Sequence, residues 1–180
     1  TEEGRLPQSP ELDYAVQTLL GGDTRYEEAE YAVLYLAPKD YHRVHSPREG
    51  TIVGYRYRPG GLWPVFPGAT RRIRDLFARN ERLVIRVQTD IGEIPVVMVG
   101  AFGVGRMALS FADTVTNTGG APEEHAFAEP PPIERAGELG RFGMGSTVIL
   151  ILPKGRVRWT VEPGRDVKLG ERIGVVTAPR

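Results

Sequence analysis

Gly145-Ser146-Thr147 is a place where a polypeptide backbone can cut itself. The serine oxygen can attack the carbonyl of the residue before it. Glycine at that carbonyl has no Cβ to obstruct the approach and tolerates unusual φ and ψ. Cleavage by this route would leave a pyruvoyl group made from Ser146. A hydroxyl attacks poorly until a base takes its proton, so the bond needs a partner elsewhere in the chain. Taken alone, the tripeptide also reads as an ordinary turn entering an apolar strand.

The densest polar cluster is Asp40-Tyr41-His42-Arg43-Val44-His45-Ser46-Pro47. Imidazole is the side chain best suited to moving protons near neutral pH, and His42 and His45 are the candidates. A surface pair with no chemical task fits the cluster equally well. Pro38 and Pro47 flank it and predict an irregular loop. Gly100-Ala101-Phe102-Gly103-Val104-Gly105 follows an apolar run. Its spacing matches neither the dinucleotide nor the Walker pattern, and no Lys-Ser or Lys-Thr pair closes it. Two readings remain for it: a close backbone approach in a tightly turned sheet, or amides aimed at an anion or oxyanion. Arg71, Arg72, Arg74 and Arg79 form a solvated face or a surface for lipid headgroups.

The elements that must position these residues are short. Glu11–Leu20 has apolar residues at helical spacing and Gly21-Gly22 as a stop, which predicts a helix. Residues 1–9 are polar and expected to fray. Strands are predicted at Glu30–Leu36, Thr51–Tyr57 (with Gly54 as a bulge), Arg82–Thr89, Glu93–Val99 and Thr147–Leu152, and a short apolar run spans Met107–Phe111. Asp90-Ile91-Gly92 should turn a hairpin. Thr70–Asn80 reads as a short helix or helical turn, and Asn117–Pro132 as a surface loop. The tail Val157–Val176 has the rhythm of hairpins in barrel-sandwich hybrids such as lipoyl and biotinyl domains, without their lysine motif. The fold class is mainly β with a few short helices (α+β), with a β-sandwich or barrel-sandwich-hybrid-like core.

Composition narrows the function classes. The chain has 180 residues, enough for one domain with a sizeable core. Its 23 Lys and Arg balance 23 Asp and Glu, which argues against a nucleic-acid partner. There are no cysteines and only three histidines, so disulfides and thiolate nucleophiles are excluded and no metal site is expected. No apolar run approaches the roughly 18 residues that cross a bilayer.

Four motifs, in order, resemble those of the phosphatidylserine decarboxylase family. The run Leu36-Ala37-Pro38-Lys39-Asp40-Tyr41-His42-Arg43-Val44-His45-Ser46-Pro47 looks like its histidine motif. Leu76-Phe77-Ala78-Arg79-Asn80-Glu81-Arg82 is similar to a second motif, and Val99-Gly100-Ala101 with Val104-Gly105 to its glycine segment. Glu138-Leu139-Gly140-Arg141-Phe142 leading into Gly145-Ser146-Thr147-Val148-Ile149 resembles its cleavage motif. Met144 and Arg106 depart from the leucine and serine common at those places.

The resemblance implies a pyruvoyl-dependent enzyme that converts phosphatidylserine to phosphatidylethanolamine. Ser146 would be the self-cleavage nucleophile and the precursor of the pyruvoyl cofactor, an electron sink for loss of CO₂. His45 would activate the serine and His42 would serve the decarboxylation step. Gly100, Ala101, Gly103 and Gly105 would bind substrate. Residues 1–180 would form one decarboxylase-like domain, divided on cleavage into 1–145 and 146–180. The implied setting is a membrane surface, at the cytoplasmic face of a bacterial inner membrane, with a homo-oligomer, a dimer, as the assembly. The family's Asp-His-Ser triad takes its aspartate from a segment upstream of the matching region, where membrane anchors are also expected, and this sequence begins after that point. A chain lacking the N-terminal region accounts for both. The alternatives are a non-catalytic or unprocessed relative that binds lipid or a protein partner, and a decarboxylase of another serine-headgroup compound.

Overall fold

The computed structural model describes residues 5–9, 12–26, 28–104 and 106–178, with the side chains of 5–9, 12–14 and 67 left aside. Strands dominate it. The first two, β1 (Arg5–Ser9) and β2 (Leu12–Ala15), pair antiparallel, and helix α1 (Val16–Leu19) follows at once. The helix expected over Glu11–Leu20 therefore shrinks to four residues, with Glu11 outside the described residues. Residues 5–9, expected to fray, are held by backbone pairing to Leu12–Ala15, which takes those residues out of helical reach. Gly21 and Gly22 end the segment at positive φ, as their type predicts.

The main body is a seven-stranded antiparallel sheet. Its members are β3 (Glu30–Tyr35), β5 (Gly50–Arg58), β6 (Arg82–Thr89), β7 (Gly92–Val99), β9 (Glu123–Ala126), β10 (Pro132–Ile133) and β12 (Thr147–Leu152). The order is β10-β5-β6-β7-β12-β3, and β9 pairs with the same strand as β10, farther along it. The register of β5 against β6 slips between Ile52 and Gly54, the bulge that the glycine signalled. A Cβ at Gly54 would strike the His125 backbone, so glycine is what lets β9 lie close. The segment Asn117–Pro132 is thus not simply a loop. Its Glu-Glu-His-Ala stretch lacks apolar alternation because all four residues are exposed, and sheet pairing rather than burial holds it.

Every residue of β12 is buried, as is nearly all of β7, which explains their unbroken apolar runs: both faces are covered. A three-stranded sheet joins β4 (Arg43–His45), β11 (Glu138–Phe142) and β8 (Met107–Leu109). The tail forms a hairpin of β13 (Val157–Trp159) and β14 (Gly174–Val176). The short helix or helical turn expected over Thr70–Asn80 is α3 (Leu76–Arg79), preceded by the left-handed Asp75, and another four-residue helix, α2 (Pro67–Thr70), comes just before it.

Candidate active site

One end of the large sheet gathers the chemistry. Thr147 stands in register with Tyr35 on one side and Val99 on the other. The chain just beyond each of these residues therefore converges: Leu36 onward, Gly100 onward, and Gly145-Ser146. The same end receives Gly143, whose N–H donates to the Arg106 carbonyl at 2.8 Å.

Ser146 is fully buried. Its carbonyl accepts from the Leu36 N–H at 2.6 Å, and its hydroxyl donates to the carbonyl of Val99. Gly145 lies on the Leu36-Ala37 backbone. A Cβ there would sit 2.7 Å from the carbonyl carbon and oxygen of Ala37, and nearer still to the oxygen of Leu36. No flexible side chain stands between them to yield. The Gly145-Ser146 peptide is thus pinned on both sides, with room for glycine alone before the serine.

His42 is held by its ring and its backbone. Nε2 lies 3.0 Å from the Pro38 carbonyl, which can only accept, so Nε2 carries the proton. In the neutral ring Nδ1 then presents a lone pair, and that atom is buried without a partner. The His42 carbonyl accepts from Phe142 N–H at 2.9 Å, tying the histidine to the segment that leads into Gly145. The Thr147 hydroxyl is buried without a partner as well. Buried polar atoms in this condition are costly and uncommon, and they cluster where function needs them.

His45 is arranged differently. Its Nδ1 donates to the Ala136 carbonyl at 2.7 Å, and Tyr41 O–H, 2.9 Å away, donates to Nε2 while stacking on the ring. Both nitrogens are engaged, Nδ1 by a backbone carbonyl and Nε2 by a hydroxyl. Ala136 adopts φ 65°, a left-handed conformation rare for alanine, in the turn that presents this carbonyl. Among the described residues neither histidine ring is hydrogen-bonded to Ser146. Asp40 closes its own loop by accepting from Ala37 N–H at 2.8 Å.

The glycine segment turns sharply beside the serine. The Gly100 N–H donates to the Glu81 carbonyl at 2.7 Å, and the Val104 N–H to the Ala101 carbonyl at 3.0 Å. Those two amides are therefore engaged within the chain. Gly103 has φ 85° and open space around it, and Gly105 lies outside the described residues. Four groups escaped the sequence reading: the carbonyls of Val99 and Ala136, the Thr147 hydroxyl and the Tyr41 hydroxyl. Backbone acceptors leave no mark in a sequence, and a strand threonine looks like any other.

A pyruvoyl group drawn from Ser146 fits these surroundings. It would inherit the buried position at the mouth of β12, beside the unpartnered Thr147 hydroxyl and the segment that carries His42.

The family model for phosphatidylserine decarboxylase matches residues 1–175. A phosphatidylserine decarboxylase proenzyme of Anaeromyxobacter sp. (strain K) is 46% identical, covering 96% of this chain and 64% of that protein. The proenzyme of Myxococcus xanthus (strain DK1622) is 41% identical, over 98% of this chain and 65% of its own length. That of Brevibacillus brevis (strain 47 / JCM 6285 / NBRC 100599) is 38% identical, over 98% and 66%. The chain thus spans just under two thirds of the length of these relatives.

Proposed function

The chain belongs to the phosphatidylserine decarboxylase family, and from that premise we propose that it cuts itself at Gly145-Ser146 and then decarboxylates phosphatidylserine to phosphatidylethanolamine. The observation that carries this reading is the buried Ser146 behind a glycine whose site admits no side chain. The relatives' designation as proenzymes supports it. Ser146 Oγ attacks the Gly145 carbonyl carbon, and the peptide nitrogen departs as the Ser146 amine, leaving an ester. A base then removes the α-proton, the Gly145 carboxylate leaves, and water replaces nitrogen as ammonia to give the pyruvoyl end. That group supplies an electron sink for loss of CO₂.

The side chains divide the work. His45 is the base for cleavage, its ring oriented by the Ala136 carbonyl, and Tyr41 must release Nε2 for it to act. His42 takes up a proton from water on Nδ1, the nitrogen that has no partner within the chain, and returns it to the substrate carbon after CO₂ leaves. His42→Ala should therefore leave cleavage intact, read as two fragments by denaturing mass spectrometry, and cut CO₂ release by about 10²-fold or more. Turnover at the native rate would remove His42 from the site. Native mass spectrometry of the same samples reads whether fragments 1–145 and 146–180 stay together as one domain, and whether two copies associate, as we propose.

The site's surroundings suit a lipid substrate. Phe102 is 80% exposed, and Tyr35, Met144 and Trp63 are also open to solvent around the same sheet end. The Arg79 guanidinium lies 5.6 Å over the Trp63 ring, so a cationic and an aromatic group meet at this rim, and Arg71, Arg72 and Arg74 precede Arg79 in the chain. Among the described residues no helix is long and apolar enough to cross a membrane. We propose peripheral docking of this rim on an anionic bilayer, at the cytoplasmic face of a bacterial inner membrane. Phe102→Ser combined with Arg71→Ser and Arg72→Ser should weaken sedimentation with phosphatidylglycerol vesicles about tenfold at low salt. Unchanged binding would place the docking surface elsewhere.

A further inference from the structure

The motif Leu76-Phe77-Ala78-Arg79-Asn80-Glu81-Arg82 has no chemical role in the reading above, yet its last three residues are buried and polar. A buried polar side chain is unfavourable unless its hydrogen bonds are made. All three make them largely with backbone groups. Arg82 donates to the carbonyls of Thr18, Leu19, Ala78 and Asn80. Glu81 accepts from Tyr57 O–H at 2.6 Å and from Asn117 N–H at 2.8 Å. Burial, with the Glu81 carboxylate beside it, pushes the Tyr57 hydroxyl up to about 12, so it remains a donor. Asn80 Oδ1 accepts from Trp63 N–H at 3.0 Å, while Nδ2 donates to the carbonyls of Trp63 and Gly100, each at 2.8 Å.

Gly100 is the point of interest. Its carbonyl is held by the Asn80 side chain and its N–H by the Glu81 carbonyl. That N–H shares a rigid peptide plane with the Val99 carbonyl, the group that accepts from the Ser146 hydroxyl. One peptide plane and two hydrogen bonds thus separate the Glu81 carbonyl from Ser146, and Asn80 holds the next plane along, at the Gly100 carbonyl. A Cβ at Gly100 would sit 3.1 Å from the Glu81 carbonyl oxygen, so the contact is already close.

We propose that Asn80 is a positioning residue for self-cleavage: by clamping Gly100 it fixes the Val99 carbonyl and, through it, the direction of the Ser146 hydroxyl. This rests on the self-cleavage reading given above. The clamp also joins the exposed Trp63 segment to the nucleophile, since one amide group serves both backbones. Misplacement of a nucleophile by about 1 Å is enough to slow attack by about 10²-fold.

Asn80→Asp tests this in the protein expressed from its full gene. The ionised carboxylate keeps the acceptor for Trp63 N–H and loses both donors. The protonated form regains one donor, and burial raises the pH at which it forms. Cleavage should be at least about tenfold slower than in the native protein at about pH 8, and the deficit should shrink as pH falls towards about 5.5. Leu83→Val, a core change of matched thermal destabilisation, should cleave at the native rate throughout. A pH-independent deficit, or equal slowing in Leu83→Val, would reduce Asn80 to a stability role and overturn the proposal. Native-rate cleavage by Asn80→Asp would also overturn it. If the native protein is not cut at all, the self-cleavage reading fails first and takes this one with it.

Discussion

Ser146→Ala should leave a single polypeptide where the native protein should yield two fragments. The reason is chemical before it is structural. No other group is placed to attack the Gly145 carbonyl from within the same residue, and alanine has no oxygen to do so. Loss of a nucleophile in an otherwise intact site typically costs at least about 10³-fold, which over a preparation of hours is complete absence of the small fragment. The fold should survive. The substitution removes one hydrogen bond to the Val99 carbonyl, a loss of about 1 kcal/mol, and leaves the β12 pairing with β3 and β7 untouched. Mass spectrometry of the denatured protein decides it. A cut at residue 145 in Ser146→Ala would refute the assignment of the nucleophile.

Gly145→Ala should be nearly as severe, for a different reason. The added methyl has only backbone in its way, from Leu36 and Ala37, and neither segment can yield freely. Leu36 is bonded to the Ser146 carbonyl, and the Ala37 carbonyl closes the turn that Asp40 makes. Relief requires the β3 and β12 strands to part at the end that holds the nucleophile. Overpacking of this kind costs about 3 kcal/mol. Cleavage should slow by about 10²-fold, because the carbonyl under attack moves with the methyl. Urea unfolding measured in a Ser146→Ala background separates the two effects, since neither protein is then cut. A stability change below about 1 kcal/mol would show that the site is looser than this packing implies.

The candidate site was legible in part because the chemistry proposed for it is carried by side chains. A serine after a glycine, two histidines three apart and an ordered set of motifs are visible without coordinates. So were the central strands, since β12 and β7 are covered on both faces and betray themselves as unbroken apolar runs. Gly54 announced its bulge because a strand glycine has few other uses. The helix over Glu11–Leu20 misled because its apolar spacing does not reveal that Arg5–Ser9 will pair with Leu12–Ala15. The exposed strand Glu123–Ala126 misled in the opposite sense, since backbone pairing holds it where no apolar pattern could show it.

What chain order alone leaves open is which atoms face one another. Residue types marked His42 and His45 as proton carriers, but backbone carbonyls at Pro38 and Ala136 select their tautomers and leave only the Nδ1 of His42 without a partner. Residue types marked Ser146 as the candidate nucleophile, but the direction of its hydroxyl follows from Val99, brought beside Thr147 by sheet register. The physical reason is common to all of these. A side chain carries its chemistry wherever it goes, whereas a carbonyl becomes specific only through the neighbour that folding puts against it.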